Sequence, residues 1–191
     1  YYHDLEIKIK FDEYLENMTI SKEKVAVGMS GGVDSSIAAY LLSMSGYEVK
    51  GIFMKNWEED DGDDCSSKED YEDARRVCKY LGIELNLVNF SDKYWTNVFE
   101  SFIAELKKGR TPNPDVFCNK EIKFKQYYEY AMSLNFDLIA TGHYACKINA
   151  QGPELHIPKD KVKDQTYFLY MMNQCVLNKT LFPLQDLKKD E

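Results

Sequence analysis

The stretch VAVGMSGGVDSSIAAYLL, residues 25–42, changes its periodicity halfway, and that change decides the fold. Lys24 to Met29 is short, apolar and β-branched, the pattern of a strand buried on both faces. From Ser35 to Ser45 the period becomes helical, with Ile37, Ala38, Leu41 and Leu42 on one face and Gly46 as the stop. Between the two stands the turn Ser30-Gly31-Gly32-Val33-Asp34-Ser35. Its backbone N–H groups can form an anion nest, with the positive end of the helix dipole behind them. Glycines let a phosphate approach the chain closely, and the hydroxyls of Ser30, Ser35 and Ser36 add donors. A plain tight turn would also use two glycines. A Walker-type loop would be longer and end in Lys-Ser or Lys-Thr, and a dinucleotide fold would carry G-x-G-x-x-G; neither is present.

Strand and helix keep alternating beyond this unit. YEVKGIFM (47–54) reads as a second strand, and Ser67 with Asp70 as a capping box opening a helix that runs to Leu81 and ends at Gly82. IELNLVNF (83–90) is a third strand. Asp92 to Lys107 is expected to be helical, with Trp95, Val98, Phe99, Phe102, Ile103 and Leu106 as its core stripe. GRTPNPDVF (109–117) is expected to exclude helix because of two prolines and a glycine, with helix returning at Glu121 to Leu134. FDLIAT (136–141) is a fourth strand. Residues 144–162 suit a β-hairpin or a loop, and DQTYFLYMM (164–172) restarts a helix. LEIKIKF (5–11) alternates like an edge strand. The fold class is therefore α/β, a doubly wound, mostly parallel sheet with helices on both faces. Ligands in such sheets bind beyond the carboxyl ends of the strands, at the switch point. Three segments are expected: an N-terminal extension (1–23), the alternating α/β domain (24–165) and a helical segment (166–191).

A chain of 191 residues suits one large domain, or one domain and the start of another. Ten Phe and fourteen Tyr are enough for a packed core. No apolar run approaches the roughly 20 residues of a membrane helix, and the N-terminal segment is unlike a signal or transit peptide. Five irregularly spaced cysteines point to a reduced, intracellular protein rather than a disulfide framework. A net charge of -8 speaks against a simple nucleic-acid binder, but the charge is uneven. Glu58 to Asp73 holds ten acidic residues against one Lys, whereas Glu105 to Lys125 holds six basic against three acidic. Either a phosphate-bearing partner docks on the basic run, or the two runs are solvated faces of opposite sign.

The spelling S-G-G-x-D-S, after a strand and opening a helix, resembles the pyrophosphatase loop of ATP-dependent adenylating enzymes. GMSGGVDSS (28–36), FMKNWEEDDGDDC (53–65), GRTPNPDVFCNKEIKF (109–124), ATGHYA (140–145) and KDQTYFLY (163–170) follow in order. Together they are similar to the catalytic domain of the tRNA-specific 2-thiouridylase family, over about residues 24–187. The resemblance implies an adenine nucleotide alpha hydrolase-like fold, truncated before the family's central and β-barrel domains. It implies an ATP-dependent tRNA sulfurtransferase, which adenylates the C2 oxygen of wobble uridine 34 and then transfers sulfur from a protein persulfide. The products are 2-thiouridine, AMP and pyrophosphate. ATP and Mg²⁺ are the implied cofactors, and tRNA and a persulfide sulfur-donor protein the partners, with no membrane. A cytoplasmic or mitochondrial location and a disulfide bond go with the same reading.

Carried onto matching positions, the resemblance assigns ATP binding to Gly28, Met29, Ser30, Gly31, Gly32, Val33, Asp34 and Ser35, joined by Met54 and Gly142. Asp34 would help hold Mg²⁺ or the loop; no other protein ligand for a metal is implied. Met54 would line the adenine or simply fill core, and Gly142 would admit the nucleotide by lacking a side chain. His143 reads as readily structural as functional. Cys118 is the implied nucleophile and Asp115 the acid or base at the uridine. From its neighbours alone, Cys118 would gain a lowered pKa from a helix N-terminus and from Lys120, or else be a small buried apolar residue. Asp115 alone would read as a turn former. Asn113, Pro114 and Asp115 match the stretch that holds the splayed-out target base, and Lys163, Asp164 and Gln165 match a tRNA-contacting stretch.

One departure stands out. The family's second cysteine, in a Gly-x-Cys context, has no counterpart up to Glu191; Cys175 sits in MNQCVLNK, and Cys65, Cys78 and Cys146 show no activating neighbours. The chain is thus expected to be the N-terminal portion of a longer enzyme. Two rivals remain. One is another pyrophosphatase-loop adenylating enzyme (an amidotransferase-linked synthetase, or a lysidine-forming or cytidine-thiolating relative), a class that lacks NPDVFC. The other is a catalytically idle nucleotide-binding fragment.

Overall fold

A computed structural model describes residues 23–56 and 66–191 of the chain. The expected edge strand at 5–11 and the first part of the acidic run lie outside the described residues. β1 (Lys24–Met29) is central in a five-stranded sheet of order β3-β2-β1-β4-β7, with every neighbouring pair parallel. Its partners are β2 (Glu48–Lys55), β3 (Leu85–Asn89), β4 (Leu138–Ala140) and β7 (Thr180–Leu181). A hairpin of β5 (Cys146–Asn149) and β6 (Pro153–His156) stands apart, as residues 144–162 suggest.

The alternation of side chains along β1 explains the layers. Val25, Val27 and Met29 pack with Ala39 and Leu42 of α1 (Val33–Met44) and with Ala74 and Cys78 of α2 (Ser66–Leu81). Ala26, pointing the other way, joins Val98 of α3 (91–107) and Ile122, Phe124 and Tyr127 of α4 (114–133). A strand sandwiched in this way must be apolar on both faces, which is why it reads as a continuous hydrophobic run. Tyr127 ties the two central strands together: its hydroxyl donates to the Ala26 carbonyl at 2.7 Å, with the Ala140 carbonyl at 3.3 Å.

Several expectations are corrected. Helix α4 starts at Pro114, inside the stretch expected to exclude it, because that proline occupies the first helical position, where its missing N–H costs nothing. Ser67 lies within α2 rather than at its cap, and Ile37 is 39% exposed on α1. In α3 the expected stripe breaks: Val98 is fully buried, but Trp95 and Leu106 are about half exposed. Trp95–Phe99 is wound as a π-helix, which shifts the following residues off the 3.6-residue period. DQTYFLYMM forms only a 3₁₀ turn at Thr166–Leu169, and the next helix, α5 (Gln174–Asn178), is capped by the Asn173 side chain. No helix of the described residues is long and apolar enough to cross a membrane.

Candidate functional site

β2 lies on one side of β1 and β4 on the other, so the chain leaves β1 at the point where strand order reverses. The glycine turn occupies that point. Gly31 has φ +78, and a Cβ there would stand 2.4 Å from the Asp70 carbonyl oxygen, so the loop is pressed onto the first turns of α2. Gly32 is the N-cap of α1 and has no side chain to offer the helix. A Cβ at Gly32 would meet only the Ser30 hydroxyl, at 3.5 Å, which leaves the space over the helix end open. The serines brace the turn instead: Ser35 and Ser36 both donate to the Gly32 carbonyl, and the Ser35 hydroxyl accepts from the Ser30 N–H at 3.2 Å. The first N–H groups of α1 thus face outward without a cap, which suits an oxyanion.

Gly142, from the loop after β4, closes the other wall. A Cβ there would lie 2.6 Å from the Ser35 nitrogen and 2.7 Å from the Asp34 carbonyl carbon. The missing side chain thus serves close packing of the β4 loop on α1. Met54 reaches across from β2, its methyl 3.2 Å from where a Gly28 Cβ would be. The structure therefore brings the expected nucleotide residues from 28–35, Met54 and Gly142 into one crevice.

Asp34, half exposed at the rim, forms an ion pair with Lys189. Among the described residues no group of three His, Cys, Asp or Glu could cage a metal ion. One accessible carboxylate beside an anion cradle nevertheless fits Mg²⁺, which keeps most of its water and shares phosphate oxygens.

The second group sits on α4. Asn113 caps this helix, its side-chain oxygen accepting from the Asp115 and Val116 N–H groups at 3.0 and 3.4 Å. Asp115 is exposed and Cys118 is half-buried one turn later. Burial pushes the Cys118 thiol up; Lys123 opposes that shift and Asp115 adds to it. The expected lowering by a helix N-terminus and Lys120 is therefore not found. Asn113 already satisfies the helix end, and Lys120 is paired with Glu121 at 3.2 Å. The effective cation is Lys123, because Asn119–Gln126 is wound as a π-helix, whose i to i+5 pattern sets Lys123 on the Cys118 side. Lys123 also acts on His143, which burial keeps neutral, well below the usual imidazole range. The His143 ring packs on Phe124 and Nδ1 lies 2.9 Å from the Thr141 hydroxyl, two contacts that fix the ring in the core. Lys123 thus acts on both Cys118 and His143, the residue that follows Gly142.

The 163–165 stretch divides. Lys163 is exposed, and the Asp164 carboxylate accepts from the Thr166 N–H at 2.9 Å. Gln165 is used internally, accepting from the Tyr144 N–H with its side chain and donating its own N–H to the Tyr144 carbonyl, both at 2.9 Å. Asn119, next to Cys118, donates to the Phe168 carbonyl at 3.3 Å and keeps a buried side-chain oxygen with no partner. Cys78, Cys118, Cys146 and Cys175 are free thiols, so no disulfide joins the described residues. Sequence reasoning missed Lys123, Asn119 and Lys189. The only hint of the last was the lack of a lysine in the glycine loop itself.

Residues 23–191 match the family model described as the tRNA methyl transferase HUP domain. The chain is 56% identical over 171 residues to the tRNA-specific 2-thiouridylase MnmA of Marinomonas sp., covering 88% of this chain and 44% of that protein. It is 55% identical over 175 residues to MnmA 1 of Geobacillus kaustophilus, covering 90% and 47%. The chain thus spans about half the length of the curated relatives it matches. A solved structure described as a predicted tRNA methyltransferase subunit, from Methanocaldococcus jannaschii, superposes with a TM-score of 0.50 at 18% identity. It covers 88% of this chain and 71% of that one, and supports the fold alone.

Proposed function

The chain belongs to the tRNA methyl transferase HUP domain family, and from that premise we propose that it is the adenylating part of a tRNA 2-thiouridylase. The observation that carries the reading is the uncapped N-terminus of α1, held open at the switch point between β1 and β4 with Gly142 packed against it. Four orphan N–H donors and a helix dipole at a sheet's carboxyl edge form a polyphosphate site. Asp34 would hold Mg²⁺ there, which would supply positive charge to offset that of the phosphates.

The C2 oxygen of a tRNA uridine attacks the α-phosphorus of ATP, and the P–O bond to the departing pyrophosphate breaks. The loop N–H groups hold that leaving group as charge gathers on it. Sulfur from a protein persulfide then adds at C2, and the C2–O bond breaks with AMP carrying the electron pair. Cys118 takes the carrier cysteine into a disulfide as it releases the sulfur, and a dithiol reductant restores both thiols. Asp115, exposed one turn before the thiol, would move the uridine proton. A half-buried thiol that burial pushes up stays protonated between turnovers, which protects it from stray oxidation. We further assign tRNA contact to Lys163 and to the 113–115 turn, and a cytoplasmic location to the protein.

Labelled ATP, unmodified tRNA and a persulfide donor test this reading with the complete enzyme. The expected result is AMP and pyrophosphate release that depends on tRNA, with 2-thiouridine in the digested product. Pyrophosphate release without tRNA would favour a different adenylating enzyme. Absence of ATP binding would favour an idle fragment.

A further inference from the structure

The glycine loop supplies backbone donors and no cation of its own: Ser30 to Ser36 contains no Lys or Arg. The fold delivers one from 155 residues away. Lys189 reaches the loop and pairs with Asp34, in the first turn of α1. Its position is fixed by backbone rather than by that pair. The Lys189 N–H donates to Asp160 at 2.9 Å, and the other oxygen of this buried carboxylate accepts from the Val162 and Lys163 N–H groups at 2.9 and 3.1 Å. Lys159 and Gln185 join the same two segments through a 2.8 Å backbone bond. Leu187 packs on Leu41, Tyr144 and Leu184, seating the segment against α1. A rigid tether thus presents one flexible ammonium, a third exposed, at the mouth of an anion cradle.

We propose that Lys189 is the polyphosphate-binding cation of this crevice, held by Asp34 until a nucleotide arrives and then turned to its β- and γ-phosphates. The proposal rests on the nucleotide reading given above. Pairing with Asp34 keeps the ammonium aimed at the loop, and the exchange trades a carboxylate oxygen for a phosphate oxygen with no proton moved. Once Lys189 leaves, the Asp34 carboxylate is free to face Mg²⁺. The loop thereby gains the function of a Walker lysine without carrying one.

Calorimetric titration of the complete enzyme and its variants with ATP, AMP and inorganic pyrophosphate tests the assignment. K189M is expected to weaken ATP and pyrophosphate at least tenfold while leaving AMP within twofold, and K189R to recover much of the loss. With EDTA present, D34N is expected to bind ATP several-fold tighter than the parent, because the competing carboxylate is gone, and D34N/K189M to lose that gain. If the parent binds ATP and K189M binds it equally well, the assignment of Lys189 falls and the nucleotide reading stands. If K189M lowers the melting temperature with ATP and AMP weakened alike, the pair is merely a structural tie and the proposal is overturned. If the parent binds none of the three ligands, the nucleotide reading itself fails and takes the proposal with it.

Discussion

Two helices of this protein carry the candidate site residues, and they begin in opposite ways. α1 opens with Gly32 and no side-chain cap, whereas α4 opens with Asn113 capping two N–H groups and Pro114 removing a third. An uncapped end keeps its donors for a ligand. A capped end has satisfied them, and what remains is a stable platform for side chains, here Asp115 and Cys118. The same contrast explains the thiol. With the end of α4 closed by Asn113, burial outweighs the one opposing charge, Lys123, and Cys118 is pushed up rather than down.

The comparison breaks most readily at Gly31. Gly31→Ala is expected to cost about 3 kcal/mol, from positive φ and a Cβ driven into the Asp70 carbonyl. Urea unfolding would measure it, and a loss below about 1 kcal/mol would show that loop and α2 are not pressed together. Gly32→Asp would give α1 the kind of cap that α4 has. Stability should rise by a few tenths of a kcal/mol while ATP affinity, read by calorimetry, falls about tenfold or more. Unchanged affinity would mean that the α1 donors do not hold the nucleotide.

Asn113→Ala is the converse change and should cost about 1 kcal/mol in the same unfolding assay, without altering ATP binding. The cations on α4 give smaller effects. Alkylation of Cys118 should accelerate with pH to beyond the ordinary thiol range, since burial favours the protonated form, and Lys123→Gln should move that midpoint further up. Cys78, more enclosed and pushed up to about 11, should react more slowly at every pH below that. Lys120→Ala should leave the Cys118 midpoint where it is and change stability by less than about 1 kcal/mol, because Glu121 keeps its second partner, Lys125. A shift with Lys120→Ala and none with Lys123→Gln would reverse the assignment.

Features whose causes lie within a few residues were legible in the sequence. β1 and α1 could be read because an apolar β-branched run and a 3.6-residue stripe are local properties, and the turn between them because glycine marks unusual backbone. Pro114 misled for an instructive reason: proline forbids a helix interior but favours its first position, and only the neighbouring Asn113 decides between them. The stripe of α3 failed where a π-turn changed the period, a winding that depends on what the helix packs against.

By itself, then, the sequence determined the parallel α/β architecture and the glycine turn at its switch point, and it singled out the candidate side chains. The tertiary structure decided which cation meets which group. Lys123 rather than Lys120 acts on Cys118, Gly142 lies against the Asp34–Ser35 peptide, and Lys189 faces a loop 155 residues away. Charge, burial and close approach are properties of neighbours in space. Chain closure through β4, β7 and the 160s segment makes those neighbours from residues far apart in the sequence.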